Sequence, residues 1–174
     1  MAIGSSLKYI NDFTIGASDS TLECTNVFSS SFDNYVVKLK GGNSTVGYIR
    51  MRFLDSGGSP ITTSNYYYRY NAVISNQAYV TTGSASPYTA FERISYNYNN
   101  KYAGDGIYNI YKPFDSSSYT FMEWENTFES VGVLYGMKGG AMYNVTDSVT
   151  GIQILNASAA TMADLNVAIY GVIS

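Results

Sequence analysis

The chain contains no histidine. That absence removes the Ser-His-Asp and Cys-His nucleophile systems and every zinc or iron site built on imidazole. A single cysteine, Cys24, cannot replace those ligands and cannot close an internal disulfide. Charge is scarce too: Asp, Glu, Lys and Arg make up 13% of 174 residues, against roughly 25% in ordinary globular domains. The net charge of −3 lacks the basic excess that phosphate backbones require, which argues against nucleic acid as a partner. No apolar run approaches the roughly 20 residues of a membrane-spanning helix, so no membrane partner is expected. The start, "MAIGSSLKYINDF", has neither the basic head nor the apolar run of a secretory signal, so synthesis in a cytoplasm is expected. "DSGGSP" (55–60) has glycines but no P-loop lysine and no following helix, and reads as a connecting loop. Asp55, Asp105, Asp115 and Asp147 are conceivable calcium ligands without a ligand loop of recognisable spacing. No cofactor is expected.

What the chain does have is tyrosine, 18 copies of it, among abundant Ser, Thr, Asn and Gly. Short runs of β-branched and aromatic residues recur between turn formers. "NYVVKLK" (34–40) alternates Tyr35, Val37 and Leu39 against Val36, Lys38 and Lys40; "YIRMRFL" (48–54) alternates Ile49, Met51 and Phe53 against Tyr48, Arg50 and Arg52. "GGN" (41–43) reads as a hairpin turn joining them, and "KGG" (138–140) as a second one. Lys38, Lys40, Arg50 and Arg52 are then expected on one outer face, either as ordinary surface or as a basic patch for an acidic neighbour. "TGIQIL" (150–155) and "LNVAIYGVI" (165–173) read as strands, and "NASAATMAD" (156–164) as a loop with at most one helical turn. No segment keeps a 3.6-residue apolar period over ten residues or more. Roughly ten strands with such turn spacing predict an all-β, two-sheet antiparallel β-sandwich, jelly-roll-like in topology. Residues 1–19 lack strand patterning and read as an N-terminal arm, leaving 20–174 as the sandwich.

One carboxylate pair suggests chemistry. Glu123 and Glu125 in "YTFMEWEN" share a strand face, with carboxyls roughly 7 Å apart, a separation that overlaps glycosidase acid–base pairs. Trp124 points the other way, and the competing reading is a solvated face over a core tryptophan. In "NYYYRYN" (65–71), alternation sends Tyr66, Tyr68 and Tyr70 to one face and Tyr67 and Arg69 to the other. A buried phenol needs a hydrogen-bond partner, so about half the tyrosines are expected in the core. The rest, with Tyr67, Arg69, Tyr96, Tyr98 and Tyr102 foremost, are expected to face another subunit or a saccharide, since Tyr, Ser, Gly and Asn suit recognition surfaces.

"NVFSSSFDNYVVKLKGG", "YIRMRFLDSGGSPITTSNYYYRY", "YKPFDSSSYTFMEW", "TGIQIL" and "VAIYGVI", in that order, resemble the Tyr-rich β-sandwich structural proteins of tailed bacteriophages, most of all those of marine and cyanobacterial phages. The resemblance spans residue 20 to the end and carries no catalytic residues. It implies a non-enzymatic virion component: a capsid decoration (cement) protein, expected to be a homotrimer bound to the major capsid protein or other virion subunits. The alternative is a tail-fibre or receptor-binding module that recognises host saccharide. A glycosidase built on Glu123 and Glu125 is the third reading.

Overall fold

Alternation of apolar and polar residues commits most of this chain to strands that bury one face. The computed structural model describes residues 6–41, 47–75, 80–83, 86–96, 105–130 and 132–173. It contains β1 (Ser6–Thr14), β2 (Thr21–Cys24), β3 (Asn34–Lys40), β4 (Tyr48–Leu54), β5 (Tyr66–Ile74), β6 (Val80–Gly83), β7 (Phe91–Tyr96), β8 (Gly106–Tyr111), β9 (Thr120–Ser130), β10 (Val133–Tyr143), β11 (Gly151–Asn156) and β12 (Asn166–Ile173). These strands form two antiparallel sheets, ordered β1-β12-β3-β8-β9-β10-β5-β6 and β2-β11-β4-β7. The predicted all-β sandwich is therefore the observed one.

The pairing is nested. β1 pairs with β12, β2 with β11, β3 with β8 and β4 with β7. Such nesting is a two-stranded ribbon rolled over a core, which is jelly-roll order. Two further pairs of strands interrupt the roll. β5 and β6 lie between β4 and β7 in sequence, and β9 and β10 between β8 and β11; both pairs extend the larger sheet beyond β8.

Three expectations need correction. β3 and β4 do not form a hairpin, because they belong to opposite sheets; Gly42 and Asn43 of the expected turn lie outside the described residues. "KGG" is no turn either: Lys138, Gly139 and Gly140 lie in the middle of β10, and the reversal falls next to Gly132, whose φ is +77°. Gly139 serves a close approach, since a Cβ added there would overlap the Trp124 indole. Third, residues 6–14, expected within the arm, form β1, an edge strand paired with β12. The 156–164 segment continues β11 at Asn156 and otherwise is a loop, without a helical turn.

The core is aromatic. Tyr66 sits among Phe53, Phe91 and Tyr143, with ring centroids 6.2, 4.9 and 5.1 Å away. The Tyr66–Phe91 pair is edge-to-face, a geometry worth about 0.5–1.5 kcal/mol beyond area burial. Tyr35, Tyr66, Tyr68, Tyr70, Tyr108 and Tyr143 are buried. Three of these phenols satisfy themselves on backbone. The Tyr35 hydroxyl accepts from the Ser29 amide and donates to the Ser29 carbonyl, both at 2.8 Å. Tyr66 accepts from the Phe53 amide and donates to the Ile61 carbonyl, both at 3.1 Å. Tyr108 donates to the Ile94 carbonyl at 3.0 Å.

Cys24, at the end of β2, is fully buried, and burial pushes its thiol up to about 12. The thiolate is the reactive form. Iodoacetamide at pH 8 is expected to leave the folded protein unlabelled and to modify Cys24 only as denaturant unfolds it, as read by mass. Labelling of the folded protein at the rate of a free thiol would contradict this placement.

Candidate interaction surface

The four cations expected on one face are split between two. Lys38 and Lys40 are exposed on the outer face of the larger sheet, whereas Arg50 and Arg52 lie on the outer face of the smaller one. The reason is the layer crossing between β3 and β4. The arginines are also committed within the molecule. Arg50 Nε binds Glu92 Oε2 at 2.7 Å, and Arg52 Nε donates to the Thr89 carbonyl at 2.9 Å. Tyr48 lies beneath both the Arg50 and Arg93 guanidinium groups, 5.2 and 5.3 Å from its ring centroid. Both arginines are thus engaged within the molecule, and the four cations form no single patch.

Two of the four loop aspartates close turns. Asp55 Oδ1 accepts from the Gly57 and Ser59 amides at 2.8 and 2.9 Å. Asp115 accepts from the Ser117 hydroxyl and amide and from the Ser118 hydroxyl at 2.6, 2.8 and 2.9 Å, which holds its carboxyl down to about 2. Among the described residues, no group of three or more His, Cys, Asp or Glu could hold a metal ion.

The outer face of the larger sheet is different. Leu7, Tyr9, Val73, Ile107, Phe121 and Leu134 are exposed there, with only Tyr88, Tyr119 and Ile173 of comparable size and exposure elsewhere among the described residues. At one end, the β1–β12 register sets Leu7 opposite Val172 and Tyr9 opposite Tyr170. Lys38 of β3 holds its ammonium 5.2 Å from the Tyr170 ring centroid. The carbon stem of a lysine covers apolar surface while its head stays wet.

At the other end, register builds cross-strand rows over β8, β9, β10 and β5. Tyr111, Phe121, Met142 and Tyr67 form one row; Asn109, Glu123, Gly140 and Arg69 the next; Ile107, Glu125, Lys138 and Asn71 the third. Gly140 leaves a gap in the middle row, and a Cβ added to it would meet open space. The result is a shallow depression of about 680 Å³ lined by residues of the first two rows. The Tyr111 hydroxyl donates to Glu123 Oε2 at 3.2 Å; burial and that carboxylate both push the phenol up. Across the gap, Arg69 lies over Gly83 of β6, where an added Cβ would come within 2.6 Å of Nε. Among the described residues no carboxylate pairs with Arg69.

Tyr67 and Arg69 thus share a face as expected, opposite the buried Tyr66, Tyr68 and Tyr70. Glu123 and Glu125 share the same outer face, opposite the buried Trp124. Tyr96 ends β7, far from that row, on the smaller sheet. Tyr98 and Tyr102 lie outside the described residues. Phe121 was missed by the sequence reading, although it shares strand parity with Glu123 and Glu125: an apolar ring in the solvent phase was the available signal. Comparison with protein-family models, with curated proteins and with solved structures returns no match.

Proposed function

We propose that the protein is a non-enzymatic structural subunit of a tailed-phage virion, a head decoration protein that docks on the major capsid protein. The carrying observation is the β1–β12–β3 end of the larger sheet, where Leu7 and Tyr9 stand 48% and 53% exposed beside Tyr170 and Val172. Clustered apolar groups left in water mark contact surfaces. Lys38 and Lys40 border this patch, and Asp12, which accepts from the Tyr9 hydroxyl, lies on the same face, so the patch has a charged rim of both signs. The resemblance of the strand and turn segments to phage structural proteins supports the virion assignment, as does the jelly-roll order, a recurrent architecture of viral capsids.

The contact is made by side chains. β1 is a nine-residue edge strand, but its register shifts between Tyr9 and Asn11, and Lys8 and Asp12 interrupt its apolar pattern. Bulges and charges of this kind blunt an edge against strand addition. Closed symmetric assembly, a homotrimer on this reading, would bury the same patch.

The test is co-sedimentation with expanded empty capsids. Leu7→Ser combined with Tyr9→Ser should weaken capsid binding about tenfold or more, since each apolar anchor contributes about 1–2 kcal/mol. The variant's thermal midpoint in isolation should change little, because both side chains are exposed. Undiminished capsid binding by the variant would move the docking surface elsewhere; absence of binding by the unaltered protein would remove the decoration reading.

A further inference from the structure

The depression over Gly140 lies at the opposite end of the larger sheet from the docking patch, and it has a different character. Three features define it. Its floor is backbone: strands two places apart stand roughly 9.5 Å from each other, so Glu123 on β9 and Arg69 on β5 flank a gap about one sugar ring wide above Gly140, with Glu123 held by Tyr111 of β8 and Arg69 lying over Gly83 of β6. Its wall is the row of Tyr111, Phe121, Met142 and Tyr67, in which Phe121 is 49% exposed. Its rim is polar, with a carboxylate already oriented by the Tyr111 hydroxyl and a guanidinium that has no carboxylate partner among the described residues. The volume of about 680 Å³ falls within the roughly 300–1,000 Å³ of small-ligand sites.

We infer that this depression binds a pyranose ring of an uncharged saccharide. A pyranose has one face of C–H groups and a rim of hydroxyls. Polarised C–H groups favour the negative face of an aromatic ring, and the Phe121 row supplies exposed aromatic surface beside the depression. Hydroxyls can donate to Glu123 and accept from Arg69, so the ring's two hydrogen-bonding roles are met from opposite sides of the gap. The rows carry balanced charge, Glu123 and Glu125 against Arg69 and Lys138, so a neutral ring needs no compensating ion there.

The proposal is independent of capsid docking, and its test keeps the two apart. Cello-, malto-, manno- and galacto-oligosaccharides would be screened against the full chain by saturation-transfer NMR, followed by titration of the best binder. At least one series should bind, with little dependence on salt because neither partner loses counterions. Gly140→Val should weaken binding tenfold or more by filling the floor, while the thermal midpoint holds or rises, because the added side chain meets open space in a strand. Phe121→Ala should weaken it comparably, and the Leu7→Ser, Tyr9→Ser variant should bind sugar normally. Failure of all four series to bind overturns the inference. So does sugar binding that survives Gly140→Val undiminished, or that is confined to sialylated or uronate-containing glycans added as controls. None of those outcomes bears on capsid docking.

Discussion

Valine at position 139 is expected to destabilise the protein by about 1–3 kcal/mol, the usual range for overpacking a filled core. The same substitution one residue later, at Gly140, should be neutral or stabilising by up to about 1 kcal/mol, because β-branched residues suit strands and glycine does not. The two glycines are adjacent in β10 and face opposite sides of the sheet. A Cβ on Gly139 overlaps the Trp124 ring, which sits directly opposite on β9; a Cβ on Gly140 meets nothing within 4 Å. Trp124 cannot retreat easily, being 2% exposed within the continuous core. For a domain of this size each kcal/mol moves the thermal midpoint by roughly 2–4 °C, so calorimetry should separate the two variants clearly. A smaller ring should relieve the clash: in a Trp124→Phe background the cost of the substitution at 139 should fall, giving a coupling within the roughly 0.5–3 kcal/mol seen for touching residues. Equal midpoints for the two valine variants would mean that Trp124 does not occupy the space beside Gly139.

The contrast between these glycines also shows what alternation in a sequence can and cannot convey. Which face a residue takes is a local property, and it was legible in β3, β4, β5 and β9: Tyr35, Met51, Tyr68 and Trp124 are buried where strand parity places them. Which strand lies beside which is a long-range property. "GGN" has the chemistry of a hairpin turn, yet β3 pairs with β8 and β12 while β4 pairs with β7 and β11. Nothing in residues 34–54 encodes those distant partners. β1 escaped notice because its register shift breaks the alternation and only Ile10 and Phe13 reach toward the core. Candidate surfaces follow the same division. The common face of Tyr67 with Arg69, and of Glu123 with Glu125, could be read locally. That these two pairs flank a gap at Gly140 depends on β10 lying between β5 and β9, which is topology. Arg50 looked free for a partner because Glu92, the carboxylate that engages it, is 42 residues away in the chain.

Within "NYYYRYN" the consequence of that parity is large enough to measure. Tyr66→Ala should cost about 3–5 kcal/mol, the range for deleting a buried aromatic ring, out of a total stability of about 5–15 kcal/mol. Tyr67→Ala, one residue on and half-buried on the opposite face, should cost about 1 kcal/mol or less. Tyr66→Phe separates ring from hydroxyl. It keeps the packing against Phe53, Phe91 and Tyr143 but strands the buried Phe53 amide and removes a donor from the Ile61 carbonyl. An unsatisfied buried group costs about 1–3 kcal/mol, so the phenylalanine variant should fall between the other two. Ionisation supplies an independent readout. Burial pushes the Tyr66 phenol up, above the value of about 10 for a free phenol. Below that pH neither folded nor unfolded chain releases the proton, and the full stability is present. Above it the unfolded chain releases the proton first, so stability falls as pH rises. Tyr66→Phe abolishes that share of the alkaline loss, and its deficit relative to the unaltered protein should narrow from pH 8 to pH 11. A constant deficit across that range, or equal losses for Tyr66→Ala and Tyr67→Ala in denaturant unfolding, would place the Tyr66 hydroxyl in water and refute the inward parity on which the fold of β5 rests.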